Sequence, residues 1–151
     1  MDDAGLDERF GFYRATVVEA EVVPGKTSVL SGAGATPDWP FPGVVHVITG
    51  HDPAGEHLGA QANAAANRAV AVSVMELGGR FVIGAGTAVD GSHAEESLVV
   101  WGLTRDQAVA VGRAARQDAI FELDAEEIRL VPCSDDRPVE VWARTAAPPG
   151  A

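Results

Sequence analysis

The sequence has one cysteine, four histidines and only 6% aromatic residues, and each scarcity removes a class of explanation. The lone Cys133 excludes an internal disulfide and any zinc site built on paired C-x-x-C motifs. His46, His51, His57 and His93 show no H-E-x-x-H or comparable spacing, so no metal is expected, and nothing else in the chain calls for a cofactor. Basic residues are also few. Eleven Lys and Arg stand against 22 Asp and Glu, a formal net charge of −11, with no run of three basic residues. Nucleic-acid affinity comes largely from Lys and Arg displacing counterions, so nucleic acid is not an expected partner, and an acidic membrane surface is disfavoured by the same charge.

Long apolar runs are missing as well: stretches such as 69–72 and 98–101 fall far short of the ~20 residues of a membrane span. The start has neither the basic residues nor the apolar core of a signal peptide, which with the single thiol leads to the expectation of a cytoplasmic protein. No G-x-S-x-G occurs, and Gly84-Ala85-Gly86 and Gly32-Ala33-Gly34 lack the remainder of a phosphate-binding motif. No standard catalytic signature is present, and oligomeric state and protein partners have no sequence signal.

What the chain does have is size and pattern. With 151 residues and 46% hydrophobic content it is expected to form one domain over 1–151, with mobile tails at 1–10, which is acidic and polar, and 144–151, which is small and proline-rich. Alternation predicts a first strand between Phe12 and Val23, its phase slipping near Val17-Val18. The Pro- and Gly-rich stretch from Lys26 to Pro42 reads as a loop anchored by Trp39 and Phe41. The β-branched run Val44–Thr49 predicts a strand, the alanine-rich segment from Ala60 to Leu77 a helix, and Gly78-Gly79 its stop. Strands follow at Arg80–Val89 and Ser97–Leu103, joined by the loop Asp90–Glu96. A helix opens at Thr104, where Thr104 and Gln107 have capping-box spacing, and runs to about Arg116. Ala119–Leu123 and Ile128–Val131 are further strands, and Pro138–Ala143 adds a short terminal one.

The order β-α-β-β-α-β from Val44 onward predicts an α+β fold, a ferredoxin-like sandwich with two helices on one face of an antiparallel sheet and added N- and C-terminal strands. That topology gathers four items at one sheet edge: the strand end carrying Thr49 and Asp52, the start of the first helix, the loop Asp90–Glu96, and Gln117 after the second helix. Asn63, Asn67, Val70, Val74 and Leu77 fall on one helical stripe, so two amides are expected on a core-facing line. Such amides need partners, and two roles stand open: holding the loop backbone at 52–59, or orienting a ligand at the helix N-terminus.

The loop Asp90-Gly91-Ser92-His93-Ala94-Glu95-Glu96 carries more chemistry than a hairpin needs. His93 and Glu95 are candidate proton carriers, with a solvated acidic turn as the alternative. His46, inside an apolar strand, is expected to be a hydrogen-bonded core residue. The sequence thus predicts a polar pocket on one sheet edge, with Thr49, Asp52, Asn63, Asn67, Asp90, Ser92 and Gln117 as ligand-binding candidates. Three functional classes remain: a small-molecule binding protein, an enzyme using Glu95 and His93 as general acid and base, and a protein-interaction module.

One resemblance supports the central block. Val47-Ile48-Thr49-Gly50-His51-Asp52-Pro53, Asn63, the run from Asp90 to Ser97, Leu98–Thr104 and Gln117–Glu122 together resemble the bacterial family known as domain of unknown function 3293, over roughly 44–131. Two positions depart from it: Asp52 stands where asparagine is more frequent, and Ala66 where arginine often is. The resemblance implies a bacterial cytoplasmic protein and brings no activity with it.

Overall fold

The computed structural model describes residues 3–134 and 136–151. Its elements are α1 (Asp3–Arg14), β1 (Thr16–Val23), β2 (Lys26–Val29), β3 (Val45–Ile48), α2 (Ala60–Glu76), β4 (Arg80–Ala88), β5 (Ala94–Trp101), α3 (Arg105–Ala114), β6 (Ala119–Leu123), β7 (Glu127–Pro132) and β8 (Glu140–Ala143). The fold is α+β: one curled sheet in the order β2-β1-β4-β5-β3-β6-β7-β8, every neighbouring pair antiparallel.

The central elements form for the reasons visible in the sequence. In α2 the inward stripe is Asn63, Asn67, Val70 and Val74, while Leu77, expected on it, is exposed because the helix ends at Glu76 and Gly78 turns the chain with φ +83°. Helix α3 opens with the capping box Thr104/Gln107, which satisfies two otherwise unpaired N–H groups. Strand β5 begins at Ala94 rather than Ser97, since β4 and β5 stay paired through Thr87↔Ala94 up to the hairpin.

The periphery differs from expectation. Of the proposed tail 1–10, residues 1 and 2 lie outside the described residues, and the rest belong to α1. Leu6, Phe10 and Tyr13, at helical spacing, pack onto the sheet and leave Phe10 only 1% exposed. Arg9 grips Asp118 and Arg14 grips Glu140, each with two hydrogen bonds, and Arg137 pairs with Asp7. The helix therefore takes Phe12–Arg14 from the expected first strand, which starts at Thr16. Lys26–Val29, read as loop, returns as β2 after the turn at Gly25. The second proposed tail, 144–151, contains buried Arg144 and Pro148, and Gly150 N–H bonds the Arg14 carbonyl.

Both faces of the sheet are covered, unlike a sandwich with helices on one face alone. Beneath α2 and α3, Ile48, Leu98, Val100, Ile120 and Val131 form one core; on the other face Val18, Val45, Val47, Phe121 and Leu130 form a second with Phe10, Leu30 and Phe41. Trp39 and Phe41 anchor the long loop as expected, their rings 5.3 Å apart.

The curl brings the two sheet margins together at Arg144, just past β8. Its guanidinium donates to the carbonyls of Leu30, Thr36 and Pro37, which follow β2, and to that of Ala125, while Gly32 N–H donates to the Arg144 carbonyl. Gly32 has φ +99°, a conformation glycine adopts without strain. The Arg144 head also lies 5.1 Å from the Trp39 ring centroid.

Glu122 organises the underside of α3. Its carboxylate accepts from Arg105 at the helix start, from Arg129 on β7 and from His46 on β3. Chiefly the Arg105 hydrogen bonds, joined by those of Arg129 and His46, hold this carboxyl far below its ordinary range against the opposing effect of burial. An ionised carboxylate only accepts, so His46 presents Nε2–H to it. Burial lowers the His46 pKa and keeps the ring neutral, with Nδ1 buried and without a hydrogen-bond partner.

Two predictions follow from this framework. Arg144→Lys keeps the charge but loses the planar fork that reaches four carbonyls, so unfolding in urea should show a loss of about 2–4 kcal/mol. Wild-type stability in the Arg144→Lys variant would mean that the clasp contributes nothing. For Glu122, a folded-state pKa below the unfolded value near 4.5 gives stabilisation that is complete above that pH and is lost as pH falls toward the folded value. Glu122→Gln should therefore cost about 3 kcal/mol near pH 7 and flatten the acid limb of stability against pH, measured by urea midpoints down to about pH 3.

Candidate functional site

Antiparallel pairing decides which loops meet. In the β3–β5 ladder His46 faces Val100 and Ile48 faces Leu98, and continuing that register past the strand end sets His51 beside Glu95. The hairpin between β4 and β5 adds His93, so residues from the two loops converge at one end of the sheet.

Helix α2 fixes the first loop by direct contact. A Cβ on Gly50 would lie 2.6 Å from the Ala66 main-chain carbon, so only glycine lets strand and helix approach this closely. Asn67 Oδ1 then accepts the Gly50 N–H at 2.7 Å, and its Nδ2 donates to the Glu96 carbonyl at 3.1 Å. Thr49 Oγ1 donates to that same carbonyl at 2.8 Å and accepts the His51 N–H at 3.0 Å. Asn63 exchanges two bonds with Asp52: its Oδ1 takes the Asp52 N–H at 2.8 Å, and its Nδ2 donates to Asp52 Oδ1 at 2.9 Å. Gln117 Nε2 donates to the His51 carbonyl at 3.2 Å. All three amides are buried, and all spend their hydrogen bonds on the loops.

That bracing holds an unusual backbone. Asp52 and Ala54 sit at φ 41° and 52°, where side chains other than glycine are uncommon and β-carbons cost energy. Burial tends to raise the Asp52 pKa, but hydrogen bonds from Asn63 and the Leu58 N–H, with the His51 charge, outweigh it and keep the carboxyl below its ordinary range.

The outward side of the same loops carries the ionisable groups. His93 Nε2 and Glu95 Oε1 are 2.9 Å apart, and the His51 and His93 rings stand 6.1 Å centroid to centroid at 75°. One ligand atom from each of His51, His93 and Glu95 lies within 4.8 Å of the others. Asp52 Oδ2 lies 3.5 Å from His51 Nε2 and 3.1 Å from His57 Nδ1. Asp90 and Ser92 bond to each other within their exposed turn: Asp90 Oδ1 accepts the Ser92 N–H at 2.9 Å, and hydrogen bonding by Ser92 lowers the Asp90 pKa.

Two grooves among the described residues lie away from the expected pocket. One is lined by Arg105, Arg113, Val131 and Arg137, the other by Pro53, Ala66, Val70 and Arg116, and no candidate site residue lines either. The convergence is a partly exposed rim, in which the His93 side chain is 54% exposed and that of His51 22%. His51 was read from the sequence only as a histidine without metal spacing, although the register of two strands expected to pair would have set it beside Glu95. Cys133 offers no nucleophile here: it is buried, and burial pushes its thiol up to about 11.

Asn63→Leu removes both bonds to Asp52 and leaves its main-chain N–H unsatisfied. The thermal unfolding midpoint should fall, by an amount equivalent to about 1–3 kcal/mol. An unchanged midpoint would show that the amide does not carry the loop.

No curated protein and no solved structure matches the chain. A family model does, and it falls on the central block. The family model described as "Protein of unknown function (DUF3293)" matches residues 48–120, which include every candidate site residue, so this stretch of the chain is similar to that family.

Proposed function

We propose that this protein is a non-catalytic binding protein whose ligand-recognition surface is the rim formed by His51, His93, Glu95 and Asp52. The observation that carries this reading is the division of labour in the site: buried amides brace the loops, and His51, His93 and Glu95 converge beside Asp52 with their ligand atoms within 4.8 Å of one another. Such a rim recognises a small polar ligand through hydrogen bonds to imidazole nitrogens and carboxylate oxygens. The pairing of His93 with Glu95 also suits general acid–base catalysis. Binding is favoured because the buried amides are spent on the loops and because the only cysteine is buried far from its reactive form.

The wider reading fits this role. The strand order β4-β5-β3-β6 with α2 and α3 on one face supports a ferredoxin-like unit at the centre of the sheet. The buried free thiol supports a reducing, cytoplasmic setting, and the net charge of −11 weighs against nucleic acid as a partner.

A thermal-shift screen of chelator-treated protein against a metabolite panel tests the proposal. A hit should raise the midpoint in wild type and lose its effect in His93→Ala and Glu95→Gln, without turnover of the compound. Shifts that survive both substitutions place the ligand elsewhere, and turnover of the hit establishes the enzyme.

A further inference from the structure

We propose that His51, His93 and Glu95 form a binding site for one divalent first-row transition metal ion. This rests on the reading of the same rim as the ligand surface and names the ligand class. The sequence expectation of no metal came from spacing along the chain, and His51 is too far in sequence from His93 and Glu95 for a spacing motif to join them.

Two imidazoles and one carboxylate are a donor set that suits zinc, iron, cobalt or nickel in preference to calcium or magnesium, which favour all-oxygen shells. Metal–ligand distances near 2.1 Å put tetrahedral donors about 3.3 Å apart. The His93–Glu95 pair already stands at 2.9 Å, and the remaining separations are all within 4.8 Å. His93 is more than half exposed, which gives an ion an entry path and leaves the remaining coordination positions to water.

The surroundings are those of a supported site. A metal-binding histidine is commonly oriented by a carboxylate at its other nitrogen, and Asp52 stands 3.5 Å from His51 Nε2. The His51 main chain is fixed on both sides, through Thr49 Oγ1 and Gln117 Nε2, and Glu95 is neighbour to the residue whose carbonyl both Thr49 and Asn67 grip. Both ligand-bearing loops are thereby bound to the same buried amides before any ion arrives. An ion would replace the His93–Glu95 hydrogen bond and offset the negative charge of Glu95 and Asp52.

Calorimetric titration of chelator-treated protein with Zn²⁺, and the visible absorption of bound Co²⁺, test the proposal. One ion per chain is expected, with affinity at least ~10-fold weaker in His51→Ala, His93→Ala and Glu95→Gln, and with the cobalt spectrum altered in each. His57→Ala, an exposed histidine outside the trio, should bind as wild type does. Circular dichroism confirms that each variant is folded. Absence of binding, affinity unchanged in all three variants, or dependence on His57 instead overturns the metal site. A metabolite shift in chelator-treated protein that requires His93 would leave the small-ligand reading standing without the metal, whereas failure of both experiments removes the rim as a binding site.

Discussion

A single buried guanidinium closes this sheet. Arg144 is 1% exposed, and its side-chain hydrogen-bond partners among the described residues are the main-chain carbonyls of Leu30, Thr36, Pro37 and Ala125. A charge in that position is costly unless each donor finds an acceptor, and the carbonyls that turn toward it belong to the segment after β2 and to the turn between β6 and β7. Satisfying the arginine and curling the sheet are therefore the same event. The curl gives the second face an interior, and that interior is where Phe10, Leu30 and Phe41 find cover. A flat eight-stranded sheet would leave α1 and the loop after β2 with nothing to enclose.

The molecule separates support from exposure along its length. The segment 48–120 carries the convergent loops, their bracing amides and both helices of one face, whereas α1, β1, β2, β7, β8 and the Arg144 clasp lie outside it. Glu122 lies just beyond its limit and joins the halves: one carboxylate receives α3 from inside the segment and β7 from outside it. Polar groups are buried at both ends of the central sheet, but with opposite consequences. Around Glu122 they are mostly charged and pair with one another; around His51 they are neutral amides that bond mainly to the loop backbone and, through Asn63, to the Asp52 carboxylate.

Local chemistry made the centre legible from sequence. The β-branched run at Val44–Thr49, the alanine-rich helix, the Thr104/Gln107 capping box and the strand Ala119–Leu123 each follow from residues adjacent in the chain, and the amides on the α2 stripe were visible as polar breaks in an apolar line. Helix α1 escaped because Leu6, Phe10 and Tyr13 are three apolar positions in an otherwise acidic stretch, and their value depends on a sheet face that exists only once the curl forms. Arg144 was invisible for the same reason: nothing about an arginine beside a proline-rich end marks it as buried. Asn63 and Asn67 could be placed but not assigned, since an inward amide looks the same whether it grips a loop or a ligand. The rim itself needed pairing register, a long-range property that residue spacing does not contain.

The closure at Arg144 has a further consequence for how the protein behaves in a crowded solution. An open sheet ends in two strands with free N–H and C=O groups, and these are templates for a stranger's strand. Here both outer strands are only four residues long, and the chain just beyond each is bonded to the other. The exposed valines of the β8 region, Val139 and Val141, would otherwise make that margin adhesive. Tying the sheet's two ends to each other leaves little free edge for a neighbouring molecule to extend, so the residue that shapes the interior also guards the chain against aggregation.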